Sequence, residues 1–516
     1  QYDCGKGVKP TFIFETSLPI NEKNFPDPNF RNYIKTYKAG GQNVLTVEQQ
    51  RNVTTIEINK KGVSDLKGIE AFPNLTELNC GNNSIQKLDL RQNPKLEKLI
   101  CNKNQLTQLD LSKNPQIDYL NCSTNQLKQL DVSHLELEYL DCSNNDLEQL
   151  DVKNSRWLRE LNCSKNELTE LDVDVTHKPN LIRVECQNNK LTSLDLSKSP
   201  LLSVLTARNN QLTAVNINGL ENLYQFDVTG NQLAELNFKN MPQLQNVTLG
   251  QNKLTTLSFE NCPSLLAVSA NDNLLENLDL SKLTNLTALS IDNNKLTSLN
   301  LSGLKKLGKV LCQSNELAAL DLTDLAELKE LRAGGNKLTS LTLPENSSKI
   351  YACHIQNNLI PVAVMNTIIS KLPNVTDLYV LDFEKSWKKN LKVEGNPEVE
   401  SANLKEAIDK GWILDVEPVD AKPRFVMKVA GAAGAPVAFS VAGVEDKLSV
   451  IIGDGEPQEY TVSTDITKLT PITINTTAEN QFVVIEGDLL AINCKGNKLS
   501  AVDCSSSDKL VLLDCS

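Results

Sequence analysis

Apolar residues recur along most of the chain in one fixed frame. In the stretch "LDLSKNPQIDYLNCSTNQL", Leu120 and Cys122 precede Asn125, and the same letters return about every 21 residues. A unit of this length is too short to bury its own apolar residues, so neighbouring units must stack and share one core. The pattern therefore predicts a solenoid, and its recurring asparagines are Asn83, Asn104, Asn125, Asn145, Asn166, Asn189, Asn210, Asn231, Asn252, Asn273, Asn294, Asn315, Asn336 and Asn358.

The segment that ends at the cysteine position of each unit predicts a short strand. Its residues alternate between apolar and polar, as in a strand with one buried face. Consecutive units would place these strands side by side in a parallel sheet, and fourteen of them at about 4.8 Å each would extend on the order of 65 Å. The asparagine amide can satisfy backbone groups where the chain leaves the strand. We interpret these asparagines as a structural ladder, beginning with Asn83, Asn104, Asn125, Asn145 and Asn166.

The frame "LxxLxCxxNxL" resembles that of the leucine-rich-repeat superfamily, and the chain resembles internalin-like and Bacteroidetes secreted leucine-rich-repeat proteins. The resemblance implies a horseshoe-shaped or rod-shaped solenoid with a parallel β-sheet on one face. Residues 1–72 resemble the helical N-terminal cap of bacterial surface proteins of this kind, which contains a calcium-loop-like turn. Lys38, Gly40, Gln42 and Gln49 stand at the ligand positions of that turn. Since a cation replaces the first carboxylate, we expect no calcium there, and we expect the cap to be held by Phe30, Tyr33, Ile34 and Leu45.

Breaks in the register predict four segments. The N-terminal cap, 1–72, precedes a repeat array with its own C-terminal cap, 73–416. Residues 417–488 carry apolar pairs two residues apart between turn signals, which indicates a small antiparallel β module like a β-sandwich. At 489–516 the repeat resumes, with Cys494 and Asn497 in the old frame. This resumed array is uncapped at Ser516, which predicts either a truncated chain or an edge covered by another chain, for example by self-association.

Charge and hydropathy narrow the function classes. The formal net charge of −12 and the isoelectric point near 5.1 argue against nucleic-acid binding, which normally needs a basic surface. No run of eighteen apolar residues occurs, so we expect no transmembrane segment. The chain opens with "QYDCGKG", which is consistent with a removed signal peptide and a secreted or cell-surface protein, outer-membrane or extracellular. Cys4 is a candidate lipidation site.

The cysteines follow the repeat frame and not a redox or metal motif. Apolar residues such as Ala207 and Leu249 occupy the equivalent position in other units, so we interpret these thiols as small core residues. No CxxC, clustered histidine or catalytic motif is present, and we expect no cofactor, no metal and no enzymatic activity. The cysteines in the frame are Cys80, Cys101, Cys122, Cys142, Cys163, Cys186, Cys312 and Cys494.

The outward positions of the strands are where a partner would make contact. Tyr119 and Tyr139 lie in adjacent units beside Ile100, which predicts an aromatic ledge on a mostly small and polar face. Exposed tyrosine and arginine are common anchors of recognition surfaces, so Arg183 and Arg208 join this first candidate site. Ordinary strand-favouring residues are the alternative interpretation. A second, more cationic candidate patch would suit an acidic glycan or protein and consists of Lys309, Leu311, Arg332, His354 and Tyr379.

A column of aspartates also repeats with the frame. Carboxylates about 5 Å apart should repel one another unless they are hydrogen-bonded, paired or bridged by cations. Acceptance of hydrogen bonds from the turn that follows each aspartate is one account, and bound calcium is the other. The aspartates are Asp89, Asp110, Asp131, Asp151, Asp172 and Asp195.

These observations favour noncatalytic recognition or adhesion by a secreted or surface-exposed bacterial protein. The ligand would be a protein or a glycan held on the sheet face. A structural spacer or self-assembly module of the cell surface is the alternative function.

Overall fold

The computed structural model describes residues 16–173, 180–375, 390–416, 424–430, 432–453, 456–477, 481–503 and 509–515. The chain forms two compact units, Gln1–Leu296 and Thr297–Ser516, which are called unit 1 and unit 2 below.

Unit 1 begins with a small helical segment. Strand Leu18–Pro19 pairs with Val44–Leu45. Helix Pro28–Tyr33 continues into a π-helical turn at Ile34–Lys38, and helix Val47–Asn52 carries a Thr46/Gln49 capping box.

Asp27 caps the first helix and also accepts hydrogen bonds from the backbone N–H and hydroxyl of Ser64, at 2.7 and 2.9 Å. This carboxylate therefore ties the helical segment to the first coil. The four residues expected to hold the segment together are buried, namely Phe30, Tyr33, Ile34 and Leu45.

Lys38 shows how this segment differs from the calcium loop that it resembles. Its ammonium group donates a 2.6 Å hydrogen bond to the carbonyl oxygen of Thr55 and lies 5.8 Å from the centre of the Tyr33 ring. The Tyr33 hydroxyl in turn accepts from the backbone N–H of Glu57. Lys38 stands at a position where the calcium-loop-like turn would carry an oxygen ligand. It places a cation there, and that cation is hydrogen-bonded to the first strand of the sheet.

The parallel sheet of unit 1 starts earlier than the expected boundary at residue 73. Strand Thr55–Glu57 already pairs in parallel with Glu77–Asn79, so part of the segment assigned to the cap belongs to the sheet. A 3₁₀ turn follows at Ile69–Ala71. The described strands of this sheet are Thr55–Glu57, Glu77–Asn79, Lys98–Ile100, Tyr119–Asn121, Tyr139–Asp141, Glu160–Asn162, Arg183–Glu185, Val204–Thr206, Gln225–Asp227, Asn246–Thr248, Ala267–Ser269 and Ala288–Ser290.

The core of unit 1 lies behind this sheet. Each strand buries its middle residue, as Leu120 does between half-buried Tyr119 and Asn121. Two further parallel pairs, Ser193–Asp195 with Ala214–Asn216 and Glu235–Lys239 with Thr256–Glu260, add strands elsewhere in the coils. The frame cysteines of this unit are buried, as are the apolar residues that replace them in later coils, so the frame sets the core as predicted.

The ladder asparagines hold the coils together through backbone groups. Asn104 donates from Nδ2 to the carbonyl oxygens of Cys80 and Cys101, both at 3.0 Å, and its Oδ1 accepts from the Ile85 N–H at 2.9 Å. One amide therefore satisfies groups in its own coil and in the preceding one. Asn336 makes the same set of bonds in unit 2 with Cys312, Ala333 and Leu317.

Unit 2 contains further coils and then a different domain. The main strands of its coils are Lys309–Leu311, Glu330–Arg332, Ala352–His354, Asn390–Lys392 and Ile413–Leu414, and a second short pair joins Ala319–Asp321 to Ser340–Thr342. Helices Val362–Lys371 and Leu404–Asp409 and a 3₁₀ turn at Val399–Ser401 accompany the last coils. Trp412 is buried and donates from its indole N–H to the carbonyl oxygen of Pro373.

The C-terminal part of unit 2 is a β module of two sheets. One sheet has five strands, with Gln458–Thr461, Lys447–Ile452, Phe482–Glu486, Arg424–Val429 and Leu499–Asp503 in spatial order. The other has four strands, with Thr470–Asn475, Pro436–Gly443, Leu489–Asn493 and Leu512–Asp514 in spatial order. Phe425, Met427, Phe439 and Ile485 are among the residues of its buried core.

The expected boundary at residue 488 is wrong. Strand Leu489–Asn493 lies in one sheet of the module and Leu499–Asp503 in the other, and Cys494 is part of the module core. One feature of the repeat is retained, because Leu489–Asn493 pairs in parallel with Leu512–Asp514, about 21 residues further along the chain. Asn497 still donates to the Cys494 carbonyl, but its amide also exchanges two hydrogen bonds with the backbone of Ala438. A strand of the module thus stands where the repeat frame would require a preceding coil.

Candidate functional site

Two tyrosines form a stacked pair on the sheet face of unit 1. Tyr119 and Tyr139 are paired directly across neighbouring parallel strands, and their ring centres lie 4.2 Å apart with the planes at 4°. On the other side of Tyr119, the Lys98 ammonium lies 5.2 Å from the ring centre. The in-register pairing of strands therefore arranges Lys98, Tyr119 and Tyr139 in one row.

This row decides which parts of the rings face a partner. The faces of Tyr119 are occupied by Lys98 and by Tyr139, and both tyrosines are half-buried. In the described part of unit 1, no aromatic or cationic side chain stacks on the remaining face of Tyr139. The next residue of the row is exposed Glu160, which pairs with Tyr139 in the adjacent strand.

Carboxylates surround the stacked pair. Glu97, Asp118 and Glu138, called the acidic row, lie in adjacent coils joined by backbone hydrogen bonds just before the strands. Burial, followed by the nearby charges of Glu138 and Glu97, raises the pKa of Asp118. Burial, the carboxylate of Asp141 and contact with Tyr119 raise the pKa of the Tyr139 phenol well above its usual value, and Glu160 adds to the effect. The tyrosines therefore lie in a region of negative potential.

The other residues of the first candidate site are placed less closely together. Ile100 is half-buried beside Lys98 and pairs with Asn121 in the Tyr119 strand, so it lies next to the stacked pair. Arg183 lies two strands beyond Tyr139 and forms an ion pair with Glu185 at 3.3 Å. Arg208, which follows the next strand, forms one with Asp227 at 3.3 Å. We therefore define the tyrosine ledge as Ile100, Tyr119 and Tyr139.

Sequence reasoning missed the acidic row. Its signal was present, because an acidic residue precedes the first strand residue in "LEKL", "IDYL" and "LEYL". The position of Glu97, Asp118 and Glu138 was not assigned to the sheet face. The backbone contacts between Glu97, Asp118 and Glu138 show that it forms a column of its own beside the strands.

The second candidate site centres on a buried carboxylate in unit 2 that pairs with two partly exposed cations. Glu330 is 1% exposed, and its carboxylate lies 2.7 Å from Nε of Arg332 and 3.3 Å from Nζ of Lys309. The sequence suggested a cationic patch, but this carboxylate offsets the charge of its neighbours. We define the unit 2 patch as Lys309, Leu311, Glu330, Arg332 and His354. Tyr379, which was predicted to join it, lies outside the described residues.

His354 is an uncharged member of the unit 2 patch. It is 4% exposed on the strand next to Arg332. Burial, with the nearby charges of Arg332 and Lys392, lowers the pKa of its imidazole to about 4. At neutral pH the ring therefore adds no positive charge to the patch.

The aspartate column serves the turns of its own coils. Asp110 accepts from the backbone N–H of Ser112, and Asp131 accepts from both the N–H and the hydroxyl of Ser133. The side-chain hydrogen bond from Arg91, followed by a backbone hydrogen bond, lowers the pKa of Asp89 to about 2. Within the described ranges no group of three potential ligand side chains could hold a metal ion. Hydrogen bonds from the following turns thus satisfy Asp89, Asp110 and Asp131, and a bridging cation stays the alternative interpretation.

The frame cysteines of unit 1 occupy positions that suppress thiol chemistry. Cys80, Cys101 and Cys122 have no solvent exposure, and burial raises the pKa of Cys80 to about 12. A thiolate is the reactive form of cysteine, so these side chains act as apolar core residues.

The geometry defines the class of the protein. Parallel strands at intervals of about 21 residues, a buried leucine and cysteine frame, and an asparagine ladder make this chain a leucine-rich-repeat protein. None of the helices in the described ranges combines the length and the hydropathy needed to cross a bilayer.

Comparison with known proteins agrees with this class. No known family model matches the chain. Over 70 residues, 13% of its length, the chain is 33% identical to internalin J of Listeria monocytogenes serotype 4b (strain F2365), and it covers 8% of that relative. The matched stretch is thus internalin-like, while the resemblance to Bacteroidetes proteins stays a prediction.

A solved structure of another bacterial leucine-rich-repeat protein shows the same fold. The leucine-rich-repeat protein LIC12759 of Leptospira interrogans superposes with a TM-score of 0.56 at 22% identity, covering 72% of this chain and 97% of that one. The functional domain of InlJ from Listeria monocytogenes, described as including a cysteine ladder, matches at 28% identity with a TM-score of 0.46. That match covers 61% of this chain and 79% of the InlJ domain.

Proposed function

We propose that this protein is a noncatalytic recognition protein, secreted or exposed at a bacterial cell surface, that holds a protein partner on the tyrosine ledge of unit 1. The single observation that carries the proposal is the stacked Tyr119–Tyr139 pair, half-buried on the sheet face and surrounded by carboxylates. The surface location rests on the resemblance to bacterial surface leucine-rich-repeat proteins.

The stacked pair has the physical properties of a binding anchor. Tyrosine offers a large apolar contact area and a hydroxyl that can form hydrogen bonds, and such residues dominate many interface energies. Because the two rings already pack on each other and on Lys98, little side-chain freedom remains to be lost on binding. A partner would therefore meet a preorganised surface.

The orientation of the rings favours a protein over a glycan. A sugar that packs against an aromatic side chain uses the face of the ring, and both faces of Tyr119 are covered. The ring edges and hydroxyl groups suit the side chains and main chain of a polypeptide. The remaining face of Tyr139 lies toward Glu160, with Asp141 also nearby.

This arrangement also favours a cationic group on the partner. An arginine or lysine placed on the Tyr139 ring would gain a cation–π contact together with the nearby carboxylate charges. The acidic row extends the negative potential along the same edge. The proposed partner is accordingly a protein segment with an exposed basic side chain.

Selection from displayed peptides tests the proposal without knowledge of the natural partner. The full chain would be used to select a random peptide library and to probe a glycan array, with the Tyr119→Ala/Tyr139→Ala variant beside it. A Thr248→Ala/Ser269→Ala variant is the matched control, since both positions are half-buried on the same sheet face. We expect enriched peptides to contain arginine or lysine, and their affinity to fall at least about tenfold in the tyrosine variant only.

Two results would contradict the proposal. Peptides that bind the tyrosine variant as tightly as the unmodified protein would remove the ledge as the contact site, as a spacer function predicts. Glycan binding that depends on the two tyrosines, without peptide binding, would replace the protein partner by a glycan.

A further inference from the structure

Two cysteines of the β module lie in direct contact. The Sγ atoms of Cys494 and Cys515 are 2.7 Å apart. Each cysteine follows one strand of the parallel pair Leu489–Asn493 and Leu512–Asp514, whose last paired residues are Asn493 and Asp514. The backbone N–H of Cys494 also donates a 2.8 Å hydrogen bond to the Asp514 carbonyl.

This placement fits the geometry of a disulfide. Neighbouring strands lie about 4.8 Å apart, and a disulfide normally joins residues with Cα atoms about 4.4–6.8 Å apart. The two thiols occupy the next paired position along these strands and turn toward each other. The two sulfur atoms need to approach by less than about 1 Å to reach the length of an S–S bond.

Accessibility distinguishes Cys515 from the frame cysteines of unit 1, while Cys494 is as fully buried as they are. Cys515 is half-buried, so a thiol reagent in solution can reach it, whereas Cys101 and Cys122 have no exposure. Reaction by thiol–disulfide exchange begins with attack by an accessible thiolate. Cysteine is thus accessible to solvent at position 515 and inaccessible in the frame of unit 1.

We propose that Cys494 and Cys515 form an intramolecular disulfide that fastens the strand Leu512–Asp514 to the β module. A small-molecule disulfide such as oxidised glutathione supplies the oxidant. The Cys515 thiolate attacks it and releases one glutathione thiolate. The Cys494 thiolate then attacks the Cys515 sulfur and releases the second. Two protein thiols are oxidised, one glutathione disulfide is reduced to two thiols, and the two protons pass to the leaving thiolates.

The strand that would be fastened has weak support of its own. It lies at the end of the spatial order of its sheet, and Val511, Leu512 and Leu513 are 72%, 48% and 43% exposed. Little apolar area is therefore buried by this strand. A covalent bond at Cys515 would limit its local opening, which is otherwise easy for strands with few buried contacts.

Peptide mapping of the full chain tests the proposal. Reduced protein is equilibrated with oxidised glutathione, alkylated in the native state, digested without reduction and analysed by mass spectrometry. We expect a linked pair of peptides containing Cys494 and Cys515, with Cys101 and Cys122 unlinked. Cys515→Ser should abolish the linked pair, and Cys122→Ser should leave it unchanged.

A second measurement on the unmodified sequence avoids dependence on a variant that fails to fold. Hydrogen exchange of the amides in Leu512–Asp514 should be slower in the oxidised protein than in the reduced protein. Free Cys494 and Cys515 after oxidation, glutathione retained on Cys515, or a bond from either residue to Cys504 would each overturn the proposal.

Discussion

Unit 1 and unit 2 both present charged side chains on the face of a parallel sheet, and they arrange those charges in opposite ways. In the unit 2 patch, Glu330 is buried between Lys309 and Arg332, and His354 is held neutral. Around the tyrosine ledge, burial together with the nearby carboxylates of Glu138 and Glu97 raises the pKa of Asp118. Charges that offset one another leave little electrostatic potential for a partner, whereas concentrated like charge leaves a potential for a partner to satisfy. This difference is why we assign recognition to unit 1.

The largest expected effect is on the stability of unit 2. Glu330→Gln would leave the partly exposed cations Lys309 and Arg332 beside a buried neutral amide, and loss of the buried partner of two ion pairs should cost about 3 kcal/mol. Urea unfolding followed by circular dichroism measures the change. Glu160→Gln beside the tyrosine ledge is the matched control and should change the unfolding free energy by less than about 0.5 kcal/mol. Equal losses of unfolding free energy for Glu330→Gln and Glu160→Gln would contradict the contrast between the two sheet faces.

The next effect is a dependence of stability on pH. His354 has a folded-state pKa of about 4, below the ordinary value of 6.5. The unfolded chain therefore binds the proton more readily between these values, so stability is lost as pH falls from about 6.5 toward 4. We expect a loss of about 2 kcal/mol at this position by about pH 5, since each pKa unit corresponds to about 1.4 kcal/mol. Urea unfolding at several pH values should show a smaller slope for His354→Gln, and an unchanged slope would contradict the buried neutral imidazole.

The smallest effect concerns the stability of the tyrosine ledge itself. Tyr139→Ala removes one stacked ring pair from a half-buried surface, which should cost about 1 kcal/mol. The same urea experiment measures it, with Thr248→Ala as the control. A loss above about 3 kcal/mol would show that the pair belongs to the core and is not a surface held ready for binding.

The sequence predicted the repeating part of the fold because one local frame specifies each coil. Its ends were less predictable. The strand Thr55–Glu57 belongs to a coil with no ladder asparagine of its own, and Asn83 of the next coil binds the Lys61 and Val63 N–H groups instead. Near the C-terminus, the alternation around Cys494 fits a repeat and an antiparallel strand equally well. Tertiary pairing decided between them.

The candidate sites were predictable to the extent that strand register alone fixes them. Register placed Tyr119 beside Tyr139, and the structure stacks them. It could not show that Glu330 is buried, because that depends on side chains from two neighbouring positions, Lys309 and Arg332. The ion pairs that engage Arg183 and Arg208 have the same origin.

The central claim is that recognition takes place on the tyrosine ledge of unit 1 and not on the unit 2 patch. Hydrogen–deuterium exchange of the full chain, with and without the tightest peptide from the selection, tests it most directly. We predict slower exchange in the presence of the peptide across 97–141, with no change across 309–354. Protection confined to 309–354 would contradict the assignment and transfer the binding site to the unit 2 patch.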